Sequence, residues 1–466
     1  MGDVEQPQQL RTGERAERPV VRRTVKLRLY PTAEQELRLA EQGHAARALW
    51  NLLHEWYTFH APHRWPSFKE ADAAIRQARR EVEWLAALPA QACQQVLKQY
   101  IHAWQAYWKG TRGRPGFHAR VRRRLSVDMP QAQALKVARL NHRWGETNLT
   151  LVGRVRFRYS HELPGLGKQA PAGKITGARL VREVNGWHIV FRCALWRELP
   201  APGDHTGSAV GLDRGVAVSI ATSDPDEPYH THKPWLSPKE TERLRRLERK
   251  AARQRRAARP GQAVSRRLQR TYAQIAALRG REKRRRADWQ HKVTTKLAAR
   301  CALIGIEQLN VRAMTASARG TEERPGKGVA QKSGLNRVIL SEGWSQLATL
   351  LEYKSAERGG MVVRVPARYT SQRCSACGEA DPRNRESQAV FVCTNPECGY
   401  GPVNADVNSA YNIKTDAILA ATWPRGPASL AALGSRVDGR SVPAWRKRRP
   451  RRWPRPNRQP ICPEVA

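Results

Sequence analysis

Four cysteines inside 25 residues constrain this chain more than any other feature. Two residues separate Cys374 from Cys377, four separate Cys393 from Cys398, and fifteen lie between the pairs. Thiolates at this spacing close a tetrahedral zinc site of the ribbon or knuckle type, and Gly378 and Gly399 supply the glycines that knuckle turns need. A site closed by four thiolates is structural, so the single Zn2+ expected here does not itself catalyse. The other cysteines, Cys93, Cys193, Cys301 and Cys462, are scattered, which excludes a disulfide framework. A reducing compartment follows, with the cytoplasm as the default. No apolar run reaches the ~18 residues of a membrane span, and the N-terminal segment lacks the apolar core of a secretory signal.

Charge narrows the partner. The chain has 466 residues, enough for two or more domains, and carries 83 Lys and Arg against 41 Asp and Glu, a formal net charge of +42. Coding bias explains a preference for Arg over Lys but not a twofold excess of base over acid. Such a surplus repels itself unless a polyanion neutralises it, and nucleic acid is that polyanion.

The N-terminal 22 residues are polar and charged. "TVKLRLYP" puts Val25, Leu27 and Leu29 on one face of a strand that Pro31 stops. Thr32 with Gln35 forms a capping box for the helix that follows. The chain then reads helical to about Tyr107, with Leu85, Leu88, Cys93, Val96, Tyr100, Trp104 and Trp108 as a buried stripe. "KGTRGRPGFHARVRRR" (109–124) breaks that pattern. It reads equally as a loop facing phosphate, through Arg112, Arg114, Arg122 and Arg123, or as a plain solvated loop. A β-rich block follows. Val155, Phe157 and Tyr159 alternate with Arg154, Arg156 and Arg158, and Asn185-Gly186 marks a hairpin. The strand near Val25 can join this sheet, closing a small barrel interrupted by the helical insert.

Beyond it, Ser237-Pro238-Lys239-Glu240 starts a helix that runs to Pro260-Gly261, and a second helical stretch spans 265 to about 300. The pair is rich in Arg, including Arg284 and Arg285, and reads as a nucleic-acid-facing hairpin. "CALIGIE" is a short strand, a helix is expected from Val338 to about Arg358, and "MVVRVP" is a further strand. Residues 423–466 hold 11 bases and 2 acids with several prolines and read as a disordered tail.

Three acids stand apart from this basic background. Asp213 follows the apolar run "SAVGL", Glu307 ends "LIGIE", and Asp406 opens a helical segment that carries Asn408 and Asn412. Acids in apolar strands are costly to bury unless paired or bound to a metal. Singly, each reads as a cap or turn residue. Together they suggest a carboxylate cluster for divalent ions, and two Mg2+ ions ~4 Å apart would activate water and steady the leaving oxygen of a phosphodiester.

In order along the chain, "GLDRGV", "IGIEQLNV", "TSQRCSACG" and "DVNSAYNI" resemble the TnpB proteins of insertion sequences, relatives of the type V CRISPR effectors. The resemblance extends from residue 24 to about 413 and includes "VKLRLYPTAEQE", "ALWN", "RGRPGF" and "ADWQHKVTTKLA". It implies an α+β multidomain protein with an RNase H-like (RuvC) α/β nuclease domain and an inserted zinc finger. An N-terminal β-barrel wedge domain, interrupted by a helical recognition domain, completes the implied fold. The implied domains are the wedge at 24–35 and 150–204, recognition at 36–149, nuclease at 205–370 and 402–422, and finger at 371–401, flanked by loose ends 1–23 and 423–466. The implied catalytic and Mg2+-binding acids are Asp213, Glu307 and Asp406. The implied activity is metal-dependent cleavage of double-stranded DNA beside a short flanking motif, directed by a guide RNA, in a prokaryotic nucleoid setting. Rival readings are a miniature type V CRISPR effector, an RNA-guided binder that does not cut, and a DNA-joining transposase. Within the family pattern, Asn404 stands where an acid is frequent and Arg214 occupies a variable position.

Overall fold

The computed structural model describes residues 20–60, 64–119, 125–167, 170–232, 234–258 and 264–422. Arg122, Arg123, Pro260-Gly261, the basic tail and all but four residues of the expected loose N-terminus lie outside them. The chain divides into two units: Met1–Ser208 with His230–Ala302 and Met314–Met361, and Ala209–Tyr229 with Leu303–Ala313 and Val362–Ala466.

The first unit grows from the alternating N-terminal strand, which spans Val20–Tyr30 and so begins earlier than the pattern suggests. Its inward residues Leu27 and Leu29 are buried. It pairs antiparallel with Gly186–Trp196 over most of its length and with Gly153–Arg158 at its end, at Leu29 and Tyr30. A seven-stranded sheet results, in the order Ser126–Met129, Gly173–Glu183, Gly186–Trp196, Val20–Tyr30, Gly153–Arg158, Trp144–Leu149, Ala138–Arg139. The Asn185-Gly186 hairpin forms as expected, with Glu183 opposite Gly186 and φ +118° at the glycine. Val155, Phe157 and Tyr159 are buried beneath it.

Helices begin where local chemistry satisfies their first amides. Thr32 and Gln35 exchange hydrogen bonds at the head of Ala33–His60. Ser67 and Glu70 form a second capping box, at Phe68–Glu81, and Ser237 and Glu240 a third, at Pro238–Arg256. In Ala90–Trp108 the expected stripe is buried at Cys93, Tyr100 and Trp104, but Trp108 is 57% exposed at the helix end. Leu247 and Ala251 of Pro238–Arg256 pack on Leu268, Ile275 and Leu278 of Arg266–Arg300, forming the helical hairpin. Each fully buried leucine there contributes about 1.5–3 kcal/mol. The helix expected from Val338 is instead two helices, Val329–Glu342 and Trp344–Ala356. Gly343 breaks them apart in the left-handed region, φ +68°, where a side chain would be strained. Among the described residues, no helix is long and apolar enough to cross a membrane.

The second unit is built on a five-stranded sheet ordered Tyr229–His230, Ile220–Thr222, Ser208–Asp213, Cys301–Glu307, Met361–Val365. The helix Ala405–Thr422 covers it through Ile413 and Ala417, which pack with Val365 and with Leu303 and Val363.

Candidate functional site: a four-cysteine centre and a carboxylate trio

Within the second unit, two glycines decide how close the covering helix comes. A Cβ on Gly211 would stand 2.0 Å from the Ala410 carbonyl oxygen, and one on Gly305 2.7 Å from the Ala417 Cβ. Both strands therefore meet the helix backbone directly, as "VGLD" and "IGIE" permit. Each strand carries an acid at its end, Asp213 on one and Glu307 on its neighbour. The helix brings Asp406 in its first turn. Asn404 caps that turn, its Oδ1 accepting from the amides of Asp406 (3.0 Å) and Val407 (3.2 Å). The residue that departs from the family pattern thus fixes the helix start beneath Asp406.

The three acids feel one another. Asp213 is pushed up to about 7, first by burial and then by the negative charges of Glu307 and Asp406; Arg385 and Arg214 oppose the shift. Burial also raises Glu307 and Asp406, countered at Glu307 by a hydrogen bond from Thr370 and at Asp406 by Arg385. The Thr370 hydroxyl donates to Glu307 Oε1 at 2.6 Å. Arg214, itself buried and brought down to about 10, donates to the Glu307 main-chain carbonyl. Arg385 reaches Asp406 Oδ1 at 3.4 Å and the Gln388 carbonyl at 2.9 Å. Mutually repelling, partly desolvated carboxylates are a donor set suited to hard divalent cations, which relieve the repulsion. The acids are not drawn onto one point. Among the described residues, only the four cysteines bring three or more such donor atoms within 4.8 Å of one another.

Those cysteines form the other centre. The Cys374 and Cys398 sulfurs are 3.8 Å apart, and those of Cys377 and Cys393 are 3.6 Å apart. Zn–S bonds of ~2.3 Å in a tetrahedron place sulfurs about 3.8 Å apart, so the set has the dimensions to hold a zinc ion. Gly378 and Gly399 adopt positive φ, +83° and +60°, as the knuckle turns require. The Glu379 backbone amide brings the Cys377 thiol down to about 7, easing its conversion to a ligand. Phe391 and Ala405 pack beneath Cys374 and Cys393.

Amide side chains join the two centres. Asn408 donates to the Arg373 carbonyl at 2.8 Å and accepts from the Ser375 amide at 2.9 Å. Asn412 donates to the carbonyls of Thr370 (3.0 Å) and Arg373 (2.7 Å). The helix carrying Asp406 therefore holds both the residue that orients Glu307 and the approach to Cys374. Sequence reasoning singled out the acids and cysteines but missed Thr370 and Arg385. Thr370 lies in the "TSQRCSACG" stretch. Arg385 sits in an aperiodic loop, where no spacing marks it.

The basic candidates are in the first unit. Arg112 and Arg114 are exposed on the loop after Ala90–Trp108, with the Arg114 guanidinium 5.7 Å from the Trp104 ring centroid. Arg284 is exposed, whereas Arg285 is engaged by Glu240 (2.8 Å) and the Trp235 carbonyl (2.7 Å).

The fold and these two centres define a mixed α/β multidomain protein with a four-cysteine cluster that could hold a metal ion, in the unit that bears the three acids. The solved Cas12f1–sgRNA–target DNA complex has a similar fold, with a TM-score of 0.50 over 85% of this chain and 99% of that one at 12% identity. Three family descriptions match: "Cas12f1-like, TNB domain" at 344–413, "Probable transposase" at 195–318 and "Helix-turn-helix domain" at 21–56. The "Putative RNA-guided DNA endonuclease InsQ" of Escherichia coli K12 is 33% identical over 394 residues, covering 83% of this chain and 90% of that protein. A "CRISPR-associated endodeoxyribonuclease Cas12f2" of a Micrarchaeota archaeon is 45% identical over 76 residues, 16% of this chain and 14% of that protein. The chain belongs to the TnpB family, related to Cas12f. Residues 21–56 do not form a helix-turn-helix: they are a sheet strand followed by part of one 28-residue helix.

Proposed function

We propose that this protein is an RNA-guided DNA endonuclease of the TnpB type, cutting double-stranded DNA beside a short flanking motif. The single observation that carries the reading is the trio Asp213, Glu307 and Asp406, each held by a different element of one unit and each raised by burial. The names of the relatives and the net charge of +42 support the same partners, guide RNA and target DNA. In this reading the nuclease domain is RuvC, of RNase H-like fold, at 205–370 and 402–422, with a structural zinc finger at 371–401. The seven-stranded sheet belongs to a wedge barrel, expected at 24–35 and 150–204. Because Ser126–Met129, Ala138–Arg139 and Trp144–Leu149 pair into the same sheet, the wedge reaches back to 126, and of the expected 36–149 only the helices up to Trp108 are left to a recognition domain.

Two bound Mg2+ ions would supply Lewis acidity to an attacking water and to the leaving oxygen. The chain's own contribution is positional. Asp213, Glu307 and Asp406 are the donors that would hold the ions. The Thr370 hydroxyl fixes the Glu307 carboxylate, Arg214 fixes its backbone, and Arg385 tempers the charge at Asp406. The zinc finger takes no part in bond breaking; it stabilises the segment that Asn408 and Asn412 grip.

The test is Asp213→Ala. DNA cleavage by the RNA-loaded variant should vanish while RNA copurification continues. Full cleavage by that variant overturns the assignment, and sequencing the copurified RNA identifies the guide.

A further inference from the structure

The motifs "ALWN" and "RGRPGF" lie about 60 residues apart, and the carboxylate site uses neither. In the first unit they meet. The Trp50 indole Nε1 donates to the Gly116 carbonyl at 3.0 Å. The Asn51 side chain grips His118 twice, donating to its carbonyl at 3.2 Å and accepting from its amide at 2.7 Å. This clamp lays the His118 ring flat on Trp50, with centroids 4.4 Å apart and planes 6° from parallel. Arg114 and Phe117 are tied down as well, Arg114 over Trp104 and Phe117 edge-on to His54 at 4.6 Å. Residues 114–118 of the basic loop are thereby tied to Ala33–His60 and Ala90–Trp108.

Beside the clamp lies a cleft of about 280 Å³, lined among others by Arg47, Trp50, Gln99, His118, Ser126 and Asp128. It is too small for a duplex and of the right order for one heterocycle with its sugar. Its walls offer an aromatic pair for stacking, and Gln99, whose amide can both donate and accept, for a base edge. The acid in the wall does not repel phosphate, because Asp128 is neutralised by Arg179 (2.9 Å) and Arg192 (2.8 Å). Arg47 in the wall supplies positive charge.

We propose that this cleft is a binding pocket for a single unpaired nucleobase, stacked against the Trp50–His118 pair and read by Gln99. The inference rests on the nucleic-acid partners proposed above but not on the carboxylate site. The pocket reads one base lifted out of a strand, and the Asn51 clamp keeps it open before that strand arrives. Preformed stacking surfaces of this kind bind bases tolerantly, while an amide on the wall adds preference.

The test uses the full-length chain with its copurifying RNA, with and without added single-stranded DNA. Ultraviolet irradiation couples contacting bases to protein, and mass spectrometry maps the adducts. An adduct is expected on the Trp50 or His118 peptide, and the arm in which it appears distinguishes RNA from DNA as its source. Gln99 is exposed, so Gln99→Ala should fold normally and lower that adduct about ten-fold while leaving adducts elsewhere unchanged. Trp50→Leu should abolish it. Adducts elsewhere with none at these peptides overturn the pocket alone, as does an unchanged yield in both variants. Absence of adducts anywhere overturns the pocket and the nucleic-acid reading together. DNA cleavage by the same preparation, measured in parallel, tests the carboxylate site independently of the pocket.

Discussion

Asp128 and Asp213 are both strand acids removed from water, and their surroundings are opposite. Asp128, in the first unit, has a side chain only 4% exposed and receives two guanidinium groups, from Arg179 and Arg192. Asp213, in the second, faces two further carboxylates that push it upward. An acid neutralised on every side contributes to folding. An acid left in repulsive company is kept at a cost to stability, and such a cost is characteristic of functional sites.

Breaking the comparison at Asp213 should have the largest effect on activity. Asp213→Asn is expected to reduce cleavage to background and, in chelator, to raise the melting temperature, because a repulsion is removed; cleavage rates and thermal unfolding measure the two sides. Cys393→Ser should have the largest effect on stability. Structural zinc sites contribute on the order of 10 kcal/mol to the folds they close, so the variant should lose zinc and unfold at much lower temperature. Normal zinc content and stability in that variant would refute the finger. At Asp128 the expectation is the reverse of that at Asp213. Asp128→Ala should destabilise by about 2 kcal/mol, since two partly buried arginines lose their partner, with thermal unfolding as the measurement. Equal stability changes at Asp128 and Asp213 would erase the distinction. The smallest change is Thr370→Val, which removes the hydrogen bond to Glu307. About 1 kcal/mol of stability should be lost, with several-fold slower cleavage that higher metal concentration partly restores.

How much of this was legible in the sequence depended on how local the cause was. The capping boxes at Thr32 and Ser237 and the hairpin at Asn185-Gly186 are decided within four residues, and all three form. The cysteine cluster was readable because metal geometry restricts spacing. The break at Gly343 was missed because an isolated glycine in a helical pattern is compatible with an uninterrupted helix. Trp108 falls at the last residue of its helix, where it rests on Trp65 and Trp104 but leaves most of its ring to solvent. The three acids were visible only as weak single signals. Their proximity depends on Gly211 and Gly305, tertiary contacts that no periodicity announces. Arg385 and Thr370 belong to the same class: long-range partners carried on loops.

The two close-approach glycines have a practical consequence. At Gly211 the obstacle to an added methyl is backbone, the Ala410 carbonyl oxygen, which no side-chain rearrangement can move aside. A methyl group there acts as a wedge under the helix, two residues along the strand from Asp213. It would shift Asp406 relative to Asp213 without altering a single charge, much as a shim misaligns a vice whose jaws are intact. For anyone redesigning this protein, these two positions that carry no side chain are as untouchable as the acids themselves.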